Sequence, residues 1–206
     1  MRYFGALRVL FLGLFCAATG FFPMLVAILP ALLLTACTSA PKLTYDLNPI
    51  AGDFATRRGH GQLAIPVPDA TLPANSDEIV VRTGPQSVAY LSGAQWVDKL
   101  PSLIQSRLIE SFQNAHLLRA VGRPGILADA TLNTTLRHFD FDAARGEASV
   151  QISAELIAAS GRIIAGRLFS AKVPAPSSDP PAVAAALDSA LARVMREIVL
   201  WTAPKI

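Results

Sequence analysis

Cysteine is scarce: the 206-residue chain has two, Cys16 and Cys37. Cys16 lies inside an apolar N-terminal run, so a chain that has lost that run keeps Cys37 alone and can form no intramolecular disulfide. Acidic residues are missing from the first 36 positions, where Arg2 and Arg8 are the only charges. Histidine is rare, with three copies, and His60, His116 and His138 do not cluster in the sequence or show the spacing of a metal site. No G-x-S-x-G stretch supplies a nucleophile elbow, and Gly122-Arg123-Pro124-Gly125 and Ser160-Gly161-Arg162 read as turns rather than phosphate cradles. His138, Asp140 and Asp142 share one strand parity beside a turn, where polar residues on a solvent face are expected. These absences leave no catalytic residue to nominate and point away from an enzyme. Nucleic acid is also disfavoured. Taking Arg2 and Arg8 from the 18 Lys and Arg leaves 16 against 15 Asp and Glu, and Arg57-Arg58, Arg119/Arg123 and Arg193/Arg196 are scattered rather than gathered into a basic stripe.

What is present begins with that leader. Residues 9–36 are apolar apart from Thr19, Thr35 and breaks at Gly13, Gly20, Pro23 and Pro30, which with Arg2 and Arg8 ahead of them has the character of an export signal. Its end, Leu34-Thr35-Ala36-Cys37, resembles the lipobox of bacterial lipoproteins. The resemblance implies cleavage between Ala36 and Cys37, a covalent diacylglycerol on the Cys37 sulfur, commonly an acyl chain on the new amino group, and no separate cofactor. Two or three chains hold a protein far better than the single myristoyl chain that anchors only marginally. Thr38 in place of Asp implies, by the sorting rule of enteric bacteria, passage to the periplasmic face of the outer membrane. An uncleaved transmembrane helix is the competing reading, because the run exceeds the roughly 20 residues that span a bilayer. Pro23 and Pro30 speak against one straight span.

The domain organisation expected is therefore a signal peptide over 1–36, a lipidated tether over 37–43 and one domain over 44–206. Short extended segments are expected at 45–47, 62–67, 79–82 and 87–91, between Pro, Gly, Asp and Asn. From 96 to 115 the period turns helical, with Leu100, Leu103, Ile104, Leu108, Phe112 and Ala115 on one face, Lys99, Gln105, Arg107, Glu110 and Gln113 off it, and Pro101 in the first turn. Val150, Ile152, Ala154 and Leu156 alternate with polar residues as in a half-buried strand. In 131–141 Leu132 and Leu136 lie on one parity and Phe139 and Phe141 on the other, which predicts a bulge near His138. With 163–173 behind the Ser160-Gly161 turn, these strands make an antiparallel meander. A last helix starts at an Asp179 cap with Pro180 in its first turn and buries Val183, Leu187, Leu191, Val194 and Ile198. Tyr45, Tyr90, Trp96 and Trp201 are expected mainly in the core. The fold class is α+β: a single domain with a mostly antiparallel sheet and two amphipathic helices packed on one face.

Three blocks of the processed chain resemble the ABC-type transport auxiliary lipoproteins, a family that includes the outer-membrane lipoprotein of the paraquat-inducible, MCE-type lipid transport system. They are Cys37 followed by Tyr45-Asp46-Leu47; Ile79-Val80-Val81-Arg82 with Val88-Ala89-Tyr90 and Trp96-Val97-Asp98-Lys99-Leu100-Pro101; and the terminal Glu197-Ile198-Val199-Leu200-Trp201. Asp46 departs from the pattern, since relatives often carry a second aromatic or aliphatic residue there. The resemblance implies a non-enzymatic docking or adaptor subunit on the outer membrane, held by its lipid anchor, whose partners are a periplasmic MCE-domain protein and its ABC transporter. A lipid-binding carrier that holds acyl chains between sheet and helices is the alternative, and a periplasmic hydrolase is a third reading with no motif behind it.

Overall fold

The computed structural model describes residues 41–52, 54 and 56–206, and Pro41–Ile206 forms one compact unit. Ala36, Cys37, the leader and most of the tether lie outside the described residues. The elements in order are β1 (Leu43–Tyr45), β2 (Gln62–Ala64), β3 (Glu78–Arg82), β4 (Val88–Trp96), α1 (Leu100–Ala115), β5 (Ala120–Gly122), β6 (Ala130–Asp142), β7 (Glu147–Ala158), β8 (Ile163–Pro174) and α2 (Pro180–Thr202), with a 3-10 turn at Ala203–Lys205. Leu43, the last residue of the expected tether, is the first of β1.

The meander β6-β7-β8 is the frame. β6 runs antiparallel to β7 from Ala130↔Ala158 to Asp142↔Glu147, and β7 pairs with β8 from Glu147↔Pro174 to Ile157↔Ile163. The register of β6 shifts between Leu136 and His138, where the change of apolar parity places it. Below the bulge Leu132 and Leu136 face inward, and above it Phe139 and Phe141 do; all four are buried. The extra residue lets one strand keep its apolar side chains on one face although their parity changes.

The sheet as a whole is mixed. Its path is β1-β4-β3-β6-β2-β5, with β7 on the other side of β6 and β8 beyond it. β6 is long enough for two strands to share one edge: β2 pairs in parallel with Ala130 and Thr131, and β3 with Phe141 and Asp142. β1 on β4 and β5 on β2 are also parallel, over three residues each. The long ladders are antiparallel and the short ones mostly parallel, so the expectation of a mostly antiparallel sheet holds for the meander and the β3–β4 pair but not for the connections between the flanking strands. β2 ends at Ala64 rather than 67 because Pro66 and Pro68 follow, and proline has no N–H for a ladder. β4 runs on to Trp96 through an irregularity at Gly93, whose φ of 72° suits a residue without a Cβ.

Both helices contribute to one core with the inner face of the sheet. α1 begins at Leu100 and not at Trp96, because Trp96 is still a strand residue: it pairs with Tyr45 and donates its N–H to the Asp77 carbonyl at 2.7 Å. The Trp96-Val97-Asp98-Lys99-Leu100-Pro101 block is thus a strand-to-helix corner. Leu100 N–H is held by the Ser76 carbonyl at 2.9 Å, and the Asp98 carboxylate accepts the Lys99 N–H at 2.6 Å. Pro101 occupies the first turn, where a missing N–H leaves no helical bond unmade. α2 buries Val183, Leu187, Leu191, Val194 and Ile198 as expected, each contributing about 1.5–3 kcal/mol of burial. Asp179 holds the N-cap position, but its side chain makes no cap bond and instead accepts from Ser177 Oγ at 3.0 Å. No helix among the described residues is long and apolar enough to cross a membrane.

Candidate functional site

The first residues of the domain are sewn to everything around them. Lys42 Nζ makes an ion pair with Glu78 of β3, β1 lies along β4, and the Tyr45 carbonyl accepts Val97 N–H at 2.9 Å. Asp46 receives Arg107 Nη2 of α1 on both oxygens at 2.8 Å, and Arg107 Nη1 reaches Glu110 at 2.9 Å. Asn48 then donates its backbone and side-chain N–H groups to Asp188 of α2 at 2.8 and 2.9 Å. Ile50 N–H bonds Ser111 Oγ at 3.0 Å, and its carbonyl accepts Asn114 Nδ2 at 3.1 Å. Residues 42–50 therefore touch the sheet and both helices, so a force on the chain ahead of Lys42 is spread over the whole unit.

Asp46, the departure noted in the sequence, is explained by Arg107: a carboxylate here completes an ion pair instead of filling an apolar niche. The hydrogen bond from Arg107 holds the Asp46 carboxyl below its ordinary range against the opposing effect of burial, and Asp46 in turn raises Arg107. A depressed folded-state pKa gives a stabilisation that is present above the unfolded value of 3.8 and is lost as pH falls through the lower folded value. Because the Asp46 side chain is half exposed, the pair contributes about 0.2–1 kcal/mol. Asp46→Asn should lower the urea midpoint slightly at pH 7, and the gap to the wild type should close below pH 4. An equal gap at both pH values would contradict this assignment.

The open face of the sheet carries a second polar group. Asp140 is 6% exposed and accepts Arg82 Nη2 at 3.1 Å and Nε at 3.4 Å, with His138 Nδ1 at 3.5 Å. Asp140 is thus not the solvated residue that its parity suggests, because the Arg82 side chain from β3 lies over it. Bonding to Asp140 raises Arg82 above its usual pKa. Asp142 caps its own turn, accepting the Arg145 N–H at 3.1 Å, Arg145 Nη1 at 2.9 Å and the Ala144 N–H at 3.0 Å, and these bonds, the Arg145 N–H first, hold its carboxyl below the ordinary range. An open pocket of 270 Å³ adjoins these groups. The arrangement is an ion-pair network that ties β3 to β6.

Two histidines that the sequence keeps apart come together. His60 and His116 line one pocket of 430 Å³ with Arg58 and Arg119, because α1 ends at His116 in a left-handed cap (φ 51°) and Gly59 N–H bonds the Leu117 carbonyl at 2.9 Å. His138 is elsewhere, and among the described residues no three His, Cys, Asp or Glu are grouped as for a metal. Gln105, placed by its period off the buried face, is buried: its amide donates to the Ile65 carbonyl at 2.8 Å and its oxygen accepts Arg123 Nε at 3.3 Å. It joins the end of β2 to α1, a role with no sequence signal because glutamine at a helix border reads as surface. Of the four aromatics, Trp96 is in the core, Tyr45 and Trp201 are half-buried, and Tyr90 is half exposed on the open face.

Comparison with known proteins gives a consistent set. The family described as ABC-type transport auxiliary lipoprotein component matches over residues 45–199. A Bradyrhizobium diazoefficiens protein, described as uncharacterized, is 34% identical over 171 residues; the match covers 79% of this chain, which spans 45% of that relative's length. Among solved structures, a Xanthomonas campestris protein of family DUF330 superposes with a TM-score of 0.75 at 28% identity, covering 79% of this chain and 95% of the other. A second, uncharacterized protein has a TM-score of 0.65 at 16% identity, covering 78% of this chain and 97% of that one, and shares the fold.

Proposed function

The chain belongs to the family of ABC-type transport auxiliary lipoproteins, and we propose from that premise that it is a non-enzymatic docking subunit of an MCE-type intermembrane lipid transport system. Cleavage before Cys37 and acylation of its sulfur and amino group anchor it at the periplasmic face of the outer membrane. The domain then receives a periplasmic MCE-domain protein that works with an ABC transporter. The signal peptide over 1–36, the tether over 37–43 and the domain over 44–206 follow from the same reading.

The observation that carries this reading is the stitching of residues 42–50 into β3, β4, α1 and α2 directly behind a tether of a few residues. The six residues 37–42 ahead of β1 reach at most about 20 Å, so the domain stays near the bilayer, and any load from a partner passes to the lipid through a braced entry. A subunit that fixes an assembly to a membrane needs that bracing; a freely moving carrier does not. The space between sheet and helices is also filled. Leu132, Val150, Phe169, Leu187, Leu191 and Val194, each 1% exposed or less, occupy the volume in which the carrier alternative would place acyl chains.

The test is affinity capture of the full chain from detergent-extracted membranes, with proteins and lipids both identified by mass spectrometry. Recovery of an MCE-domain protein supports docking. A stoichiometric lipid beyond the covalent acyl groups, with no MCE protein, would replace docking by the carrier reading.

A further inference from the structure

Among the described residues β8 has a neighbouring strand on one side only. Its 12 residues pair with β7, and no described strand pairs with its other edge. Just past its end, Ala175 N–H bonds the Gly146 carbonyl on the β7 side at 2.8 Å. In an antiparallel strand the N–H and C=O of one residue point the same way, and successive residues alternate. Odd-numbered residues from Ala165 to Val173 therefore serve β7, while Gly166, Leu168, Ser170 and Lys172 turn their backbone groups to the free edge. Arg193 of α2 occupies the Lys172 carbonyl at 3.4 Å, which leaves the edge open from Gly166 to Ser170.

Natural proteins blunt such edges with short strands, prolines or charges that point inward. β8 is long, and its only proline is its last residue. On the uncovered face of the sheet Ile164 and Leu168 are 40% and 50% exposed. On the helix face the edge is flanked by Arg167, which shares Glu197 of α2 at 3.4 Å, and by Arg193. From Gly166 to Ser170 the edge thus has unmet backbone groups, an apolar strip on one face that ends before Lys172, and the positive charge of Arg167 and Arg193 on the other.

We propose that an extended segment of the partner protein adds to β8 as a further strand, with apolar side chains beside Ile164 and Leu168 and acidic ones facing Arg167 and Arg193. The backbone groups of the edge select an extended chain, and the two flanks select an alternation of apolar and acidic residues, the mode in which main-chain bonds supply affinity and alternate side chains supply specificity. This inference rests on the docking reading and names the surface through which docking occurs.

The test uses the full acylated chain in detergent micelles and, as probe, a blocked peptide of roughly nine residues alternating Val and Glu, with a Val and Lys peptide beside it. Site-resolved hydrogen exchange should slow at Gly166, Leu168 and Ser170 with the Val and Glu peptide and not with the other. Ser170→Pro removes an outward N–H and spares the β7 ladder, as proline at an edge can, and should weaken peptide binding about tenfold, the equivalent of one or two backbone hydrogen bonds. Leu168→Glu, which keeps the backbone intact, should weaken it by a similar factor, because the apolar contact with the peptide valines is lost and a carboxylate is set against them, and covers the case in which the proline variant does not fold. Unchanged exchange at the three amides, or equal binding of both peptides, would overturn the proposal. So would protection that rises with protein concentration in the absence of peptide, since a second copy would then own the edge. Capture of the MCE-domain protein by Ser170→Pro as efficiently as by the wild type overturns the edge and leaves docking standing. Protection by the peptide with no MCE-domain protein captured by the wild type leaves the edge standing and ends the docking reading.

Discussion

Cys37→Ser is expected to remove the chain from the outer-membrane fraction almost completely. A serine hydroxyl lacks the nucleophilicity of a thiolate, so the diacylglycerol is not transferred, and processing that depends on the acylated cysteine does not follow. The variant should therefore keep residues 1–36 and remain with the inner membrane through that apolar run, which is longer than the roughly 20 residues of a span. The contrast in anchoring is large, because each buried methylene contributes about 0.8 kcal/mol and two or three acyl chains hold a protein where one does so marginally. Density-gradient separation of the two membranes, with the wild type alongside, reads the outcome. If the leader is instead an uncleaved helix, wild type and variant will band together.

Trp96→Ala should cost about 3–5 kcal/mol of folding stability, the usual range for deleting a large buried aromatic, and thus much of the roughly 5–15 kcal/mol that holds a domain together. Trp96 is 1% exposed, ends β4 at the corner into α1, pairs with Tyr45 and meets Phe139 edge to face at 5.8 Å. Its loss opens a cavity where β1, β4 and β6 converge. The indole Nε1 is buried without a hydrogen-bond partner among the described residues, so Trp96→Phe gives up no hydrogen bond there and should cost much less than the alanine variant. Urea unfolding of the three proteins followed by far-ultraviolet circular dichroism separates these cases. Similar losses for both variants would mean that the indole is held by a polar contact rather than by packing.

The parts of the fold that were legible are those in which burial imposes a period. β7 announces itself because Val150, Ile152, Ala154 and Leu156 must alternate, and α2 because Val183, Leu187, Leu191, Val194 and Ile198 must share a stripe. Even the bulge before His138 was legible, since Leu136 and Phe139 can reach one core only if the strand gains a residue. The parallel pairings of β1 with β4 and of β2 with β5 and β6 were not legible, because segments of two or three residues are too short to carry a period and their partners are distant in sequence. Side-chain pairings were hidden for a related reason. Nothing local in the chain tells Asp46 about Arg107, Gln105 about the Ile65 carbonyl, Asp140 about Arg82, or brings His60 to His116. Each pairing is decided by tertiary packing. Asp179 shows the limit of a local rule: its position at the cap was legible, but Ser177 takes its carboxylate.

Processing and acylation at Cys37 are read from the intact mass of the membrane-extracted chain. A mass equal to residues 37–206 plus diacylglycerol and an N-linked acyl chain, absent from Cys37→Ser, is the predicted result. An unacylated mass for all 206 residues in the wild type would contradict it, and would make the leader a membrane span.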